Sequence, residues 1–231
     1  GVFAGLFDRE FGLSRADSDG VTMEEELARI GYQGNQRCGD HPLGALFEAH
    51  IEQGPILEAS GVPIGVVSGA QGQYWYDAVV LGVDCHAGTT PMPRRHDALV
   101  SAARMTAALR DLALRHAPHA VATVGQFDVI PNSRNTIPGE VRFSVDIRHP
   151  EPEVLKAMDD ALRGEFAAIC AAEGTTVTIE QIWDKPPVVF DSQCVDAVQA
   201  ATEQLGYPNQ RIVSGAGHDA CQVCEVAPVG M

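Results

Sequence analysis

The chain has 231 residues, of which 45% are hydrophobic and 20% charged, and carries a formal net charge of −15. That length supports one large domain or two smaller ones around a buried core. The acidic surplus repels phosphate backbones and anionic lipid, so neither nucleic acid nor a membrane surface is an expected partner, and no run of about 18 apolar residues offers a membrane span.

In chain order, residues 22–31 predict a short acidic helix. Residues 46–51 read as a buried strand that runs into Glu-Gln-Gly-Pro, with His50 on the transition. Open α/β sheets put their chemistry at such strand ends. Residues 74–83, rich in aromatic and β-branched side chains, predict a strand. His86 follows, in Cys-His-Ala-Gly-Thr-Thr-Pro-Met. Leu99, Ala102, Ala103, Met105, Leu109 and Leu112 give the apolar face of a helix over 95–116. Residues 121–130 predict a strand with Gly125 as a bulge, and 131–139 a turn.

Val141, Phe143, Val145 and Ile147 alternate with Arg142, Ser144, Asp146 and Arg148, the period of a strand with one buried face. Pro152 opens a helix in which Val154, Met158, Leu162, Phe166 and Cys170 recur every four residues, flanked by Leu155 and Ile169. Gly174 ends it, and 175–183 predict another strand. The order β-α-β-β-α-β is that of a ferredoxin-like module, here over 68–184. A helix over 192–205 and a short strand over 211–214 lead to Gly-Ala-Gly-His-Asp-Ala, which contains His218. Helix and strand alternate in the flanks as in an α/β domain. Residues 1–67 and 185–231 therefore read as one α/β domain interrupted by 68–184. Both ends read as cut within elements, so the chain is expected to be a piece of a longer one.

The six cysteines are scattered, which points to reduced thiols and a cytoplasmic setting. Cys221 and Cys224 form one C-x-x-C without a second pair, and read as positions on the first turns of a helix. Neutral imidazole is the commonest metal ligand, so His50, His218 and His86 are the first candidates for chemistry. His41, His96, His116, His119 and His149 have no ligand-like spacing and read as surface or packing residues.

Five blocks, in order, resemble the M20-type amidohydrolases. They are residues 50–55 (His-Ile-Glu-Gln-Gly-Pro), 86–92 (His-Ala-Gly-Thr-Thr-Pro-Met), 135–139 (Asn-Thr-Ile-Pro-Gly), 146–149 (Asp-Ile-Arg-His) and 215–220 (Gly-Ala-Gly-His-Asp-Ala). Within that group the pattern is similar to the branch of N-carbamoyl-L-amino-acid hydrolases, ureidopropionases and allantoate amidohydrolases. The resemblance implies a zinc-peptidase-like α/β catalytic domain, incomplete here, interrupted by a ferredoxin-like lid that makes a homodimer through 68–184. It implies two divalent ions (zinc, manganese or cobalt) and a small ureido substrate. His50 would ligate one ion and His218 the other. His86 would reach into the partner's site and donate to an oxyanion, and Gln53, Asn135 and Arg148 would bind substrate. The period of two leaves the Arg148 guanidinium on the polar face, free to fork onto a carboxylate. A surface ion pair with Asp146 is the rival reading.

The resemblance also implies blocks that are not found: an upstream histidine with a bridging aspartate, an upstream glutamate pair, and a downstream histidine. The chain by itself is therefore expected to be inactive and metal-free or weakly loaded. Two other readings compete. A non-catalytic ferredoxin-like dimerisation or ligand-binding module would need neither His50 nor His218. An M20 peptidase or aminoacylase would more often carry a carboxylate at the position of His50.

Overall fold

A computed structural model describes all 231 residues. The chain forms two compact units, one of residues 1–70 with 189–231 and the other of residues 71–188. The architecture is mixed α/β.

In the 71–188 unit the strand Gly72–Leu81 pairs antiparallel with Glu140–His149 on one side and with Thr176–Lys185 on the other. Val121–Thr123 and Phe127–Ile130 pair antiparallel with the far side of Glu140–His149. The predicted strand over 121–130 is thus broken in two. The break lies at 124–126, where the Ser144 hydroxyl accepts the N–H groups of Gly125 at 3.3 Å and Gln126 at 3.0 Å. A side chain on the neighbouring strand satisfies backbone donors that a continuous ladder would have used.

Two helices cover one face of this sheet. Ala98–Arg115 starts at Asp97, whose carboxylate accepts from the N–H groups of Leu99 and Val100, satisfying donors that have no partner within the helix. Pro152–Glu173 has proline in its first turn and ends at Gly174 with φ 68°, a left-handed cap that glycine adopts without strain. Met105, Leu109 and Leu112 from the first helix and Leu155, Met158, Leu162 and Phe166 from the second are buried. They pack with Tyr76, Val80, Val141, Phe143, Val145 and Ile147 from the sheet in one cluster. Tyr76, fully buried, donates its hydroxyl proton to Asp159 at 2.9 Å, and burial, with that bond, pushes its pKa far up. Ser101 and Thr175 share a buried hydroxyl–hydroxyl bond of 2.9 Å.

In the other unit Ile64–Ala70 pairs in parallel with Asn209–Ser214, and Leu46–Phe47 pairs in parallel with Val229–Gly230. Helix Ser192–Gln204, capped by Asp191, packs against Ile64–Ala70 with Cys194 and Val195 buried. The expected buried strand over 46–51 shrinks to two residues. Phe47 is 56% exposed and Ile51 72% exposed, so apolar composition there does not mark a core. Met23–Arg29 is the acidic helix, with a reciprocal Thr22–Glu25 capping box. Cys221 lies in the short helix Ala220–Val223 and Cys224 caps it. No helix is long and apolar enough to cross a membrane.

Candidate active site

Glu48 and His50 follow directly on the strand Leu46–Phe47. His218 stands between the strand Asn209–Ser214 and the helix Ala220–Val223. Both segments are C-terminal ends of strands that pair in parallel, the position where α/β sheets place functional groups. The imidazoles of His50 and His218 meet edge to face with ring centroids 4.7 Å apart. One ligand atom each from Glu48, His50 and His218 lies within 4.8 Å of the others.

Each member of this trio is held by other groups. His50 Nδ1 is 2.6 Å from the carbonyl oxygen of Ile51. A carbonyl only accepts, so Nδ1 carries the proton and Nε2 keeps its lone pair. Glu48 accepts the N–H of Ala220 with Oε2 at 2.8 Å, and its Oε1 faces His218 Nδ1 at 3.7 Å. His218 Nε2 lies 2.6 Å from the hydroxyl of Ser214, which itself accepts the N–H of Ala216 at 3.1 Å. His218 is buried and His50 exposed, so the trio runs from the interior to the surface. Glu48 and Ser214 escape the sequence reading. The one available signal for Glu48 was its place two residues before His50, since alternate residues of an extended chain share a face.

The other predicted residues fall elsewhere. Gln53 is exposed with φ 54°, a left-handed conformation that costs a non-glycine residue about 1 kcal/mol or more. Beside it, Glu52 accepts the N–H groups of Ile56 at 2.9 Å and Leu57 at 3.0 Å. Glu52 therefore caps the helix Ile56–Ser60 and is not aimed at the histidines.

His86 and Asn135 are neighbours within the 71–188 unit. Cys85–His86 pairs with Thr136–Ile137, and the N–H of Ala87 donates to the carbonyl of Asn135 at 2.8 Å. His86 Nδ1 accepts two backbone N–H groups, from Gly88 at 3.0 Å and Thr89 at 3.2 Å. The neutral ring must then carry its proton on Nε2, which makes His86 a donor on its exposed side and not a metal ligand through that atom.

Arg148 lies on the sheet face away from the helices. It is not free as expected: its guanidinium pairs with Asp146 at 2.5 Å. Gln73 stands opposite it on the next strand, and the donors Arg148 Nη2 and Trp75 Nε1 that surround its amide assign the side-chain oxygen to the position 2.7 Å from both. Trp183 stands beside Trp75, with ring centroids 6.0 Å apart.

A model of peptidase family M20/M25/M40 matches residues 19–231. The N-carbamoyl-L-amino-acid amidohydrolase of Rhizobium meliloti is 43% identical over 231 residues, covering 100% of this chain and 56% of that protein. The allantoate amidohydrolase of Bacillus subtilis (strain 168) is 32% identical over 236 residues, covering 100% of this chain and 57% of that protein. The crystal structure of an amidase of the hydantoinase/carbamoylase family from Burkholderia multivorans superposes with a TM-score of 0.93 at 56% identity, over 100% of this chain and 56% of that one. The chain thus spans little more than half the length of the relatives it matches.

Proposed function

The chain belongs to peptidase family M20/M25/M40, and on that premise we propose that it is part of a metal-dependent hydrolase of C–N bonds in N-carbamoyl amino acids or allantoate-like ureides. The observation that carries this reading is the meeting of His50, His218 and Glu48. The relatives named for carbamoyl amino acids and allantoate give the substrate class its support.

The donor set, two imidazoles and a carboxylate within 4.8 Å of one another, fits one divalent ion of the zinc, manganese or cobalt type, so His50 and His218 are proposed to share an ion and not, as the sequence suggested, to hold one each. Such an ion, when bound, polarises a ureido carbonyl and lowers the pKa of water. His50 would hold it through Nε2, with Glu48 and His218 as the other ligands. His86, in this reading, donates its Nε2–H to the oxygen that gains charge as the carbonyl is attacked, a contact often worth about 3 kcal/mol. Gln53 and Asn135 bind the ureido group, and the Arg148 guanidinium, held at its place by Asp146 and Gln73, binds the substrate carboxylate. Residues 68–184 serve as a ferredoxin-like lid and make the homodimer. The strand order second, third, first, fourth, with both helices on one face, supports that assignment.

By itself the chain is proposed to be inactive, with at most a weakly held ion. The family's upstream glutamate pair has no counterpart in the Glu24–Glu26 run. There Glu25 is engaged with Thr22 and Glu26 with Arg29. Stoichiometric uptake of two zinc ions together with ureide turnover by this chain would refute that part.

The function itself is tested by grafting residues 1–231 in place of the matching segment of the Rhizobium meliloti relative. Release of ammonia from N-carbamoyl-L-amino acids or allantoate, lost in His50→Ala and His218→Ala, is expected. A folded graft that cleaves peptides or acylamino acids and no ureide would overturn the reading.

A further inference from the structure

We infer that Arg95 is a positioning residue for His86: its guanidinium fixes the peptide plane whose N–H sets the tautomer and the aim of that imidazole. The inference rests on the oxyanion role proposed above for His86 and adds a residue to it.

The loop that carries His86 turns back on itself. The N–H of Thr90 donates to the carbonyl of His86 at 3.2 Å, with Ala87, Gly88 and Thr89 between them. Arg95 grips this loop. It follows the short turn Met92–Arg94 and stands two residues before Asp97, the cap of the helix Ala98–Arg115, so its backbone is tied to an element packed into the core. Its Nη2 donates to the carbonyl of Ala87 at 2.7 Å. Nη2 and Nε together donate to the carbonyl of Thr90, at 3.0 and 3.1 Å. A guanidinium can make these contacts at once because its donors form a rigid planar fork, whereas an ammonium is a compact point charge.

The carbonyl of Ala87 and the N–H of Gly88 belong to one peptide unit. That unit is planar and trans, so its oxygen and its N–H point in opposite directions. A cation that holds the oxygen therefore also aims the N–H. That N–H is one of the two that donate to His86 Nδ1, at 3.0 Å. The charge on the oxygen polarises the peptide and strengthens the N–H as a donor. The second donor, the N–H of Thr89 at 3.2 Å, comes from the stretch between the two carbonyls that Arg95 holds. Gly88 lets the ring lie close to this peptide, since a Cβ there would stand 3.2 Å from His86 Cε1. With Nδ1 occupied as an acceptor, the neutral ring keeps its proton on Nε2. Influence thus passes from the guanidinium through one peptide to the imidazole, and Arg95 needs no contact with substrate to exert it.

The test has two arms. The first uses the 231-residue chain labelled with ¹⁵N, at about pH 8, where an ordinary imidazole is neutral. Long-range nitrogen–proton spectra should show His86 protonated on Nε2 in the unsubstituted chain and as a mixture of tautomers in Arg95→Met, which keeps an apolar stem and loses the fork. Arg95→Lys, which keeps the charge but not the fork, should lie between the two and carries the test should Arg95→Met not fold. The indole signals of Trp75 and Trp183 report the folding of each variant. A His86 tautomer unchanged in every folded variant would overturn the inference and leave the oxyanion role standing. The second arm uses the graft. Arg95→Met is expected to lower kcat by about 10- to 100-fold with KM within a few-fold, and to lower it no further in a graft that already carries His86→Ala. An equal further loss in that background would overturn the inference, because Arg95 would then act otherwise than through His86. Full kcat in His86→Ala alone would overturn the oxyanion role, while the tautomers still decide whether Arg95 sets the ring.

Discussion

Gln73 and Arg148 face each other across adjacent strands, and the Gln73 oxygen joins the guanidinium to the indole N–H of Trp75. The chain has two tryptophans, and both are at this place, so the cluster has its own spectroscopic reporter. Replacing Gln73 with Leu removes one acceptor from two donors. The expected cost is about 1 kcal/mol of stability, with faster solvent exchange at the Trp75 indole proton and little change at Trp183. Denaturant melts and indole exchange rates check this. Equal protection of the Trp75 proton in both chains would show that Gln73 does not hold it.

His86 is fixed as an Nε2–H donor by two backbone N–H groups on Nδ1. If that proton serves the developing oxyanion, its loss acts on the chemical step and not on binding. In the graft described above, His86→Ala is expected to lower kcat by about a hundred- to a thousandfold with KM within a few-fold of its original value. A rise in KM at unchanged kcat would instead make His86 a ground-state binding residue.

Ser101 and Thr175 tie the helix Ala98–Arg115 to the residue just before the last strand of its sheet, through a bond closed off from water. Ser101→Ala strands the Thr175 hydroxyl in an apolar setting. The expected loss is about 1–3 kcal/mol. The double replacement Ser101→Ala with Thr175→Val removes both polar groups and should recover much of it. Unfolding free energies of the three variants decide the matter, and a double variant weaker than the sum of the singles would sink the argument.

What could be read beforehand follows from how local the cause was. Glu140–His149 was legible because its two faces meet different surroundings, and the alternation of Val141, Phe143, Val145 and Ile147 with polar residues records that directly. Pro152 and Gly174 bracketed their helix for equally local reasons. The stretch over 46–51 misled because Leu46, Phe47 and Ile51 are apolar, yet Leu46–Phe47 is all of it that pairs. Burial there depends on what lies opposite, which composition does not record. Glu48 is the clearest omission. A lone glutamate in an apolar run looks like any solvated carboxylate, and only the placement of the Ala220 N–H and of His218 beside it marks it out. The pairing of Arg148 with Asp146 was open in the sequence as a rival to a free guanidinium, and nothing local could choose between them.

The last prediction concerns His149, 4% exposed and read from the sequence as a surface or packing residue. Its Nδ1 accepts the N–H of Glu151 at 3.0 Å, and its ring stands against His119 with centroids 6.3 Å apart. Burial, more than the nearby His119 and His116, holds its pKa below the ordinary value of 6.5, against the opposing pull of Glu151. The sign follows from proton counting. Below about pH 6.5 the unfolded chain has protonated this imidazole while the folded chain still refuses the proton, so the unfolded state binds more protons and stability falls as pH falls. Above that pH both states are neutral and the effect vanishes. His149→Gln keeps an acceptor for the Glu151 N–H but cannot titrate. Between about pH 7 and pH 5 the unsubstituted chain should therefore lose stability more steeply than the variant. Groups far from His149 are common to both chains, so their share cancels in the difference. Parallel stability curves across that window would mean that the buried imidazole takes up its proton as readily in the folded chain as in the unfolded one.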